Sequence, residues 1–188
     1  PAMTLLLLSS LTVCPASDRP APKPQSRVDA VAAAPAKAVD VDAFCEDRSG
    51  KPFALPETDT PAENPAGWTW VNIWATWCKP CVEEMPMIVK WKAKLAKAGA
   101  DVALQFLSVD AGAAEVAAWR AAHPDIPAGP RIAGVSLLSP WMATIGLDSS
   151  AVLPVHLFVD PTDTIRCVRM GSIAEHDYDA VLAVVSGK

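Results

Sequence analysis

From Phe44 onward, short and nearly unbroken apolar runs alternate with stretches of helical period. "GWTWVNIWAT" (67–76) is rich in β-branched and aromatic residues, and Asn72 interrupts its apolar core. Such a run predicts a strand covered on both faces, as in a parallel sheet. A buried amide needs partners, so Asn72 is either bonded to nearby backbone or close to the chemistry. From Pro80 to Ala98 the period becomes helical, with Val82, Met85, Val89, Ala93 and Ala96 on one face. Pro80 suits a first helical turn, Pro86 predicts a kink, and Gly99 marks a stop. Glu83 and Glu84 come early and Lys90, Lys92, Lys94 and Lys97 late, as the helix dipole favours. The lysines read as a solvated face.

The rest of the pattern completes a fold class. "DVALQFLSVD" (101–110) predicts a second buried strand, and "AAEVAAWRAAH" (113–123) a short helix ended by Pro124. "LSPWMATIGL" (138–147) predicts another helix, starting near Ser139. "LPVHLFVD" and "TIRCVRM" predict two antiparallel strands joined by "DPTDT", and "EHDYDAVLAVVSG" a closing amphipathic helix. "FCEDRSGKPFALPE" (44–57) holds a Ser-Gly-Lys turn between two apolar pieces, which predicts a β-hairpin. The order is β-α-β-α, then β-β-α. That describes an α/β domain over 44–188: a mixed central sheet flanked by helices, with an N-terminal hairpin extension.

The first 43 residues have a different character. "PAMTLLLLSSLTVC" (1–14) is an apolar run too short to span a bilayer as an ordinary helix, and it reads as the core of a secretory signal. "LTVC" looks like a lipobox, which would make Cys14 a lipidation site; a plain cleaved signal and a signal-anchor are the other readings. All three place the remainder of the chain outside the cytoplasm. Residues 15–43 are rich in Pro and Ala, and ten of the eighteen prolines fall before residue 66. Such a stretch buries too little apolar surface to fold, so it reads as a tether to a membrane.

Composition narrows the function. The chain is 188 residues long and 51% hydrophobic, enough for one domain with a sizeable core. Its net charge of −5 argues against a nucleic-acid partner, which would need a basic patch. The chemistry concentrates in "WATWCKPC" (74–81). Cys78 falls where a buried strand ends and a helix begins. Unpaired N–H groups and the positive end of the dipole favour a thiolate there, and Lys79 adds a cation. A thiolate is the nucleophile of disulfide exchange. Cys81, one turn on, is placed to resolve the mixed disulfide.

"WATWCKPC" followed by "VEEMP" resembles thioredoxin-like proteins of the TlpA/ResA type, tightly from Val71 to Pro86 and more loosely from Phe44 to the C-terminal helix. The family consists of membrane-tethered thiol–disulfide reductases outside the bacterial inner membrane. The resemblance implies a thioredoxin-like fold and a redox-active Cys78–Cys81 pair that needs no cofactor. It implies a membrane thiol–disulfide electron donor, and disulfide-containing substrate proteins in cytochrome c maturation or copper-site assembly. "LPVHLFVD" resembles the family's cis-proline strand, which implies a cis bond at Pro154, with the Leu153 backbone pairing with substrate. Trp77 would shield the disulfide and line the docking surface. Glu84 matches the family's acid three residues after the second cysteine and would handle a proton; a dipole-complementing acid is the plainer reading. Lys79, Pro80 and Asn72 would modulate the site. His156 reads as a structural residue.

Other chemistries fit less well. Zinc would want two close ligand pairs, and the remaining cysteines are scattered. A Sco-type copper protein, a metal-binding module rather than an enzyme, uses a wider cysteine spacing and a distant histidine, a part His156 could take. A peroxiredoxin would have proline where Asn72 stands. A dithiol oxidase would use the same residues at a different potential. Cys45 and Cys167 read either as a structural disulfide or as two buried thiols.

Overall fold

The computed structural model describes residues 39–62, 65–148 and 150–187. The signal-like run, Cys14 and the tether up to residue 38 lie outside the described residues. The elements, in chain order, are α1 (Val41–Phe44), β1 (Trp68–Trp74), α2 (Lys79–Lys97), β2 (Val102–Ser108), α3 (Ala113–Ala122), α4 (Leu138–Thr144), β3 (Val155–Val159), β4 (Ile165–Met170) and α5 (Tyr178–Val185). Single 3₁₀ turns at Val135–Leu137 and Glu175–Asp177 lead into α4 and α5. The folded part thus begins a little before Phe44, with Asp40 capping α1 by accepting from the Ala43 N–H at 2.9 Å.

The sheet order is β2-β1-β3-β4. β1 runs parallel to β2 and antiparallel to β3, and β3 is antiparallel to β4. The mixed sheet is therefore as expected, and β1 is its axis. Both central strands are apolar because both of their faces are covered: six of the seven residues of β1 and all five of β3 are buried. Trp70 and Phe158, opposite each other on β1 and β3, pack with ring centroids 5.0 Å apart.

Two expectations are corrected. The pieces around Ser49–Lys51 do not pair with each other as a hairpin. Both lie along β4, through isolated bridges Asp47–Val168 and Pro52–Thr164, and the Cys45–Cys167 disulfide fixes the same edge. The unpaired N–H and C=O groups of an edge strand are a stronger template than a two-stranded hairpin standing alone. The buried face of α2 is also different: Cys81, Glu84, Met85, Ile88, Trp91 and Leu95 are buried. Val82 and Val89 are half-buried, and Ala93 and Ala96 are exposed. The larger side chains take the core because each removes more apolar surface from water. Pro86 lies inside α2, which continues as one helix to Lys97. The late lysines are solvated as expected, and the Lys94 ammonium sits 3.3 Å above the Tyr178 ring.

Candidate active site

β1 ends at Trp74 and α2 begins at Lys79, so the intervening loop must turn sharply and present its residues at one end of the sheet. Asp110, itself buried, holds that turn. It accepts the Thr76 N–H at 3.0 Å and the hydroxyls of Thr76 and Ser108 at 2.7 and 2.8 Å. Cys78 comes next as the N-cap residue of α2, and its side chain makes no capping hydrogen bond. In the structure it is joined to Cys81 as a disulfide. Cys81 is fully buried, whereas Cys78 keeps 5% of its surface exposed. The opening to solvent is narrower than a freely wetted thiol would have, and it belongs to the residue expected to attack. Pro80 has no N–H to offer, so once the bond opens the Cys81 N–H is the free helix donor in reach of a capping sulfur.

The neighbours expected at the site are brought together. Leu153–Pro154 is cis. The antiparallel register that sets Ile73 against Val155 carries the Leu153–Pro154 loop to the end of β1, beside the cysteine turn. The Leu153 N–H and C=O find no backbone partner among the described residues. Trp77 is 72% exposed, whereas the other six tryptophans are buried or half-buried. A cavity of about 510 Å³ opens between these two features, lined by Ile73, Trp77, Val109, Leu138, Met142 and Leu153. Pro80 is exposed in the first turn of α2. The Lys79 ammonium lies on Glu83 at 2.8 Å in solvent, so its charge is partly met there.

Beneath the disulfide lies a buried polar cluster. Glu84, one helical turn after Cys81, is buried against β1 and β3. Its Oε1 accepts from Asn72 Nδ2 at 2.9 Å and its Oε2 from the Ile173 N–H at 3.0 Å. Burial pushes its carboxyl from the ordinary 4.5 up to about 7, against the pull of those two donors. A buried acid poised near neutrality can take or give a proton at physiological pH. A role limited to complementing the helix dipole does not fit its position, because the first turn of α2 carries no acid. His156 completes the cluster. It is fully buried, and burial holds its imidazole low, at about 3, so it is neutral. Its nitrogens face Trp70, Asn72 and Glu84.

Asp110 is a residue of the site that the sequence reading did not single out, and His156, read there as structural, lies against Glu84. A signal was present for both: each is a polar residue in or directly beside a strand of otherwise buried side chains. Cys45 and Cys167 are bonded to each other.

No protein-family model matches the chain. Over 49 residues it is 43% identical to the thioredoxin-like protein YneN of Bacillus subtilis, a stretch that is 26% of this chain and 29% of that protein. The match thus spans less than a third of the curated relative's length. Among solved structures, a DsbF homologue from Corynebacterium diphtheriae superimposes with a TM-score of 0.57 at 16% identity, covering 81% of this chain and 96% of that one. A thiol:disulfide interchange protein of the thioredoxin family from Chlorobium tepidum gives 0.52 at 18% identity, covering 74% and 98%. The chain therefore has a thioredoxin-like fold carrying a CxxC disulfide, and its resemblance to the TlpA/ResA-type thiol–disulfide oxidoreductases fits both the curated relative and the solved structures.

Proposed function

We propose that this chain is an extracytoplasmic thiol–disulfide oxidoreductase that reduces disulfides in partner proteins. The observation that carries this reading is the Cys78–Cys81 disulfide at the mouth of α2, with the cis Leu153–Pro154 loop beside it. In the reduced protein, the Cys78 thiolate attacks one sulfur of a substrate disulfide. A mixed disulfide forms and one substrate thiolate leaves. Cys81 then gives up its proton and attacks the Cys78 sulfur. The Cys78–Cys81 bond forms and the second substrate thiolate leaves, so two electrons pass to the substrate. In this reading Glu84, one helical turn after Cys81, accepts the Cys81 proton. The Leu153 backbone, which has no backbone partner among the described residues, can pair with an extended substrate segment, and Trp77 and the apolar cavity beside it receive its side chains. A membrane thiol–disulfide donor returns the electrons.

Two features support an oxidising compartment. The Cys45–Cys167 bridge is of the structural kind found outside the cytoplasm, and the residues before α1 read as a signal or lipidated leader and then a tether. Among the described residues no helix is long and apolar enough to cross a membrane. The resemblance points to an apocytochrome c or a copper-site protein as substrate. A copper-binding role for the chain itself would need His156, whose two nitrogens are within 3.3 Å of other side chains.

A redox titration of the pair against glutathione or dithiothreitol tests the direction. A midpoint well below about −200 mV supports a reductase, and one near −120 mV would make the protein an oxidase. Insulin reduction that survived Cys78→Ser would remove Cys78 from the attacking role.

A further inference from the structure

We propose that His156 is a positioning residue for Glu84: a neutral imidazole locked with its proton on Nε2, which holds the buried carboxylate one turn from Cys81. Strand register sets the geometry. β1 and β3 pair so that Asn72 stands directly opposite His156. Trp70 Nε1 and Asn72 Nδ2 both lie 3.3 Å from the imidazole Nδ1. An indole N–H can only donate, so Nδ1 is the acceptor, and a neutral ring must then carry its proton on Nε2. Nε2 is 3.3 Å from Oε1 of Glu84. The approach is off the line of a hydrogen bond, and the Gly171 backbone also lies against the ring and favours its N–H. A buried N–H must be met by a nearby acceptor, and a rotation of the ring or the carboxylate would turn this one onto Glu84. The two side chains are 0% and 3% exposed, so no water competes for it.

Glu84 then has two donors bonded to it, Asn72 Nδ2 and the Ile173 N–H, and a third, His156 Nε2–H, 3.3 Å away. The two bonded donors favour the ionised acid against the burial that favours the neutral one, and His156 joins them when its N–H turns onto the carboxylate. The other charges around the cluster are occupied. Arg169 stands opposite His156 on β4 and pairs with Glu46 at 2.9 Å; its charge also disfavours an imidazolium. Glu175 accepts from Trp91 Nε1 at 3.3 Å. His156 therefore serves as a fixed donor, and Glu84 is the member of the pair that titrates.

The inference rests on the proposed dithiol chemistry and deepens it, but its first test needs no turnover. The full chain, oxidised and labelled with ¹³C at glutamate carboxyls, is titrated by NMR, with Glu84→Gln assigning the signal. Three variants are compared. His156→Gln keeps an N–H near the Nε2 position. His156→Asn keeps one near Nδ1 only. His156→Phe keeps neither. The Glu84 midpoint should stay near that of the native chain in His156→Gln. It should rise by about one to two pH units, ten- to a hundredfold in the ionisation constant, in His156→Asn and His156→Phe. If His156→Phe does not fold, Gln against Asn decides. An unshifted midpoint in His156→Asn, or an equal shift in Gln and Asn, overturns the assignment. The potential of the cysteine pair is then followed against pH, where the bend due to Glu84 should move with the NMR midpoint in each variant. A bend that ignores the shifted midpoint also overturns it. A native pair that proves redox-inert would refute the proposed function and leave the NMR result standing.

Discussion

Glu84→Gln should change how stability depends on pH, and the sign can be worked out from the structure. Burial raises the folded-state carboxyl from the ordinary 4.5 to about 7. The folded state thus binds this proton more tightly than the unfolded chain does. The stabilisation is complete below about 4.5, falls as pH rises, and is lost above about 7. The difference corresponds to about 3 kcal/mol. His156 works the other way. Its folded value is about 3 against an ordinary 6.5, so acid favours the unfolded chain across that range. Between roughly 4.5 and 6.5 the two slopes cancel, and the native protein should show a flat stretch in which stability hardly responds to pH. Gln copies the size and neutrality of the protonated acid but cannot ionise. In the variant the histidine slope stands alone, and stability should climb steadily from pH 4.5 to 6.5. The stability of the variant minus that of the native chain should therefore rise by about 3 kcal/mol between pH 4.5 and 7. Any fixed penalty from a misplaced amide hydrogen shifts this difference by a constant and leaves its slope intact. Urea unfolding monitored by tryptophan fluorescence, with both disulfides intact, measures it. A difference that stays level across this range would mean that Glu84 ionises like a solvated acid, and the case for a buried proton carrier would go with it.

Removing the second disulfide by Cys45→Ala with Cys167→Ala reopens a loop of 122 residues and should lower stability by as much as ~5 kcal/mol in the chain-entropy account, read from urea midpoints. Trp77→Ala alters a largely exposed side chain, so the melting temperature should hold while insulin reduction slows. Asp110→Ala strands the Thr76 N–H and the two hydroxyls it now receives. It should cost about 1–3 kcal/mol or more and alter the iodoacetamide reactivity of reduced Cys78, because the turn before the cysteine loses its anchor.

What could be read from the sequence, and what could not, divides along a physical line. The strands declared themselves because β1 and β3 are covered on both faces, which leaves little room for polar residues. The cysteine pair declared itself because its parts are contiguous: strand end, turn and helix start lie within eight residues. Failures came where the outcome depends on a competition between distant segments. The 44–57 stretch had the local signals of a hairpin, but the open edge of β4 and the bond to Cys167 took it instead. The helical period of α2 admitted more than one face, and the bulk of Ile88, Trp91 and Leu95 was a better guide than the spacing of smaller residues.

The buried cluster is the sharpest case. Asn72 and His156 were each visible as a polar residue in an apolar run, and Glu84 as an acid one turn after Cys81, but 84 positions separate Asn72 from His156. Only the strand register joins them, and a slip of one residue would turn His156 to the opposite side of the sheet. Such residues repay attention before a structure exists, for a physical reason. A fully buried amide, acid and imidazole each carry a desolvation penalty that an apolar side chain would avoid. When three occur in segments that all lead toward one cysteine pair, mutual satisfaction is the least costly way to bury them. The acid left with a choice of protonation state is then the one the chemistry can use.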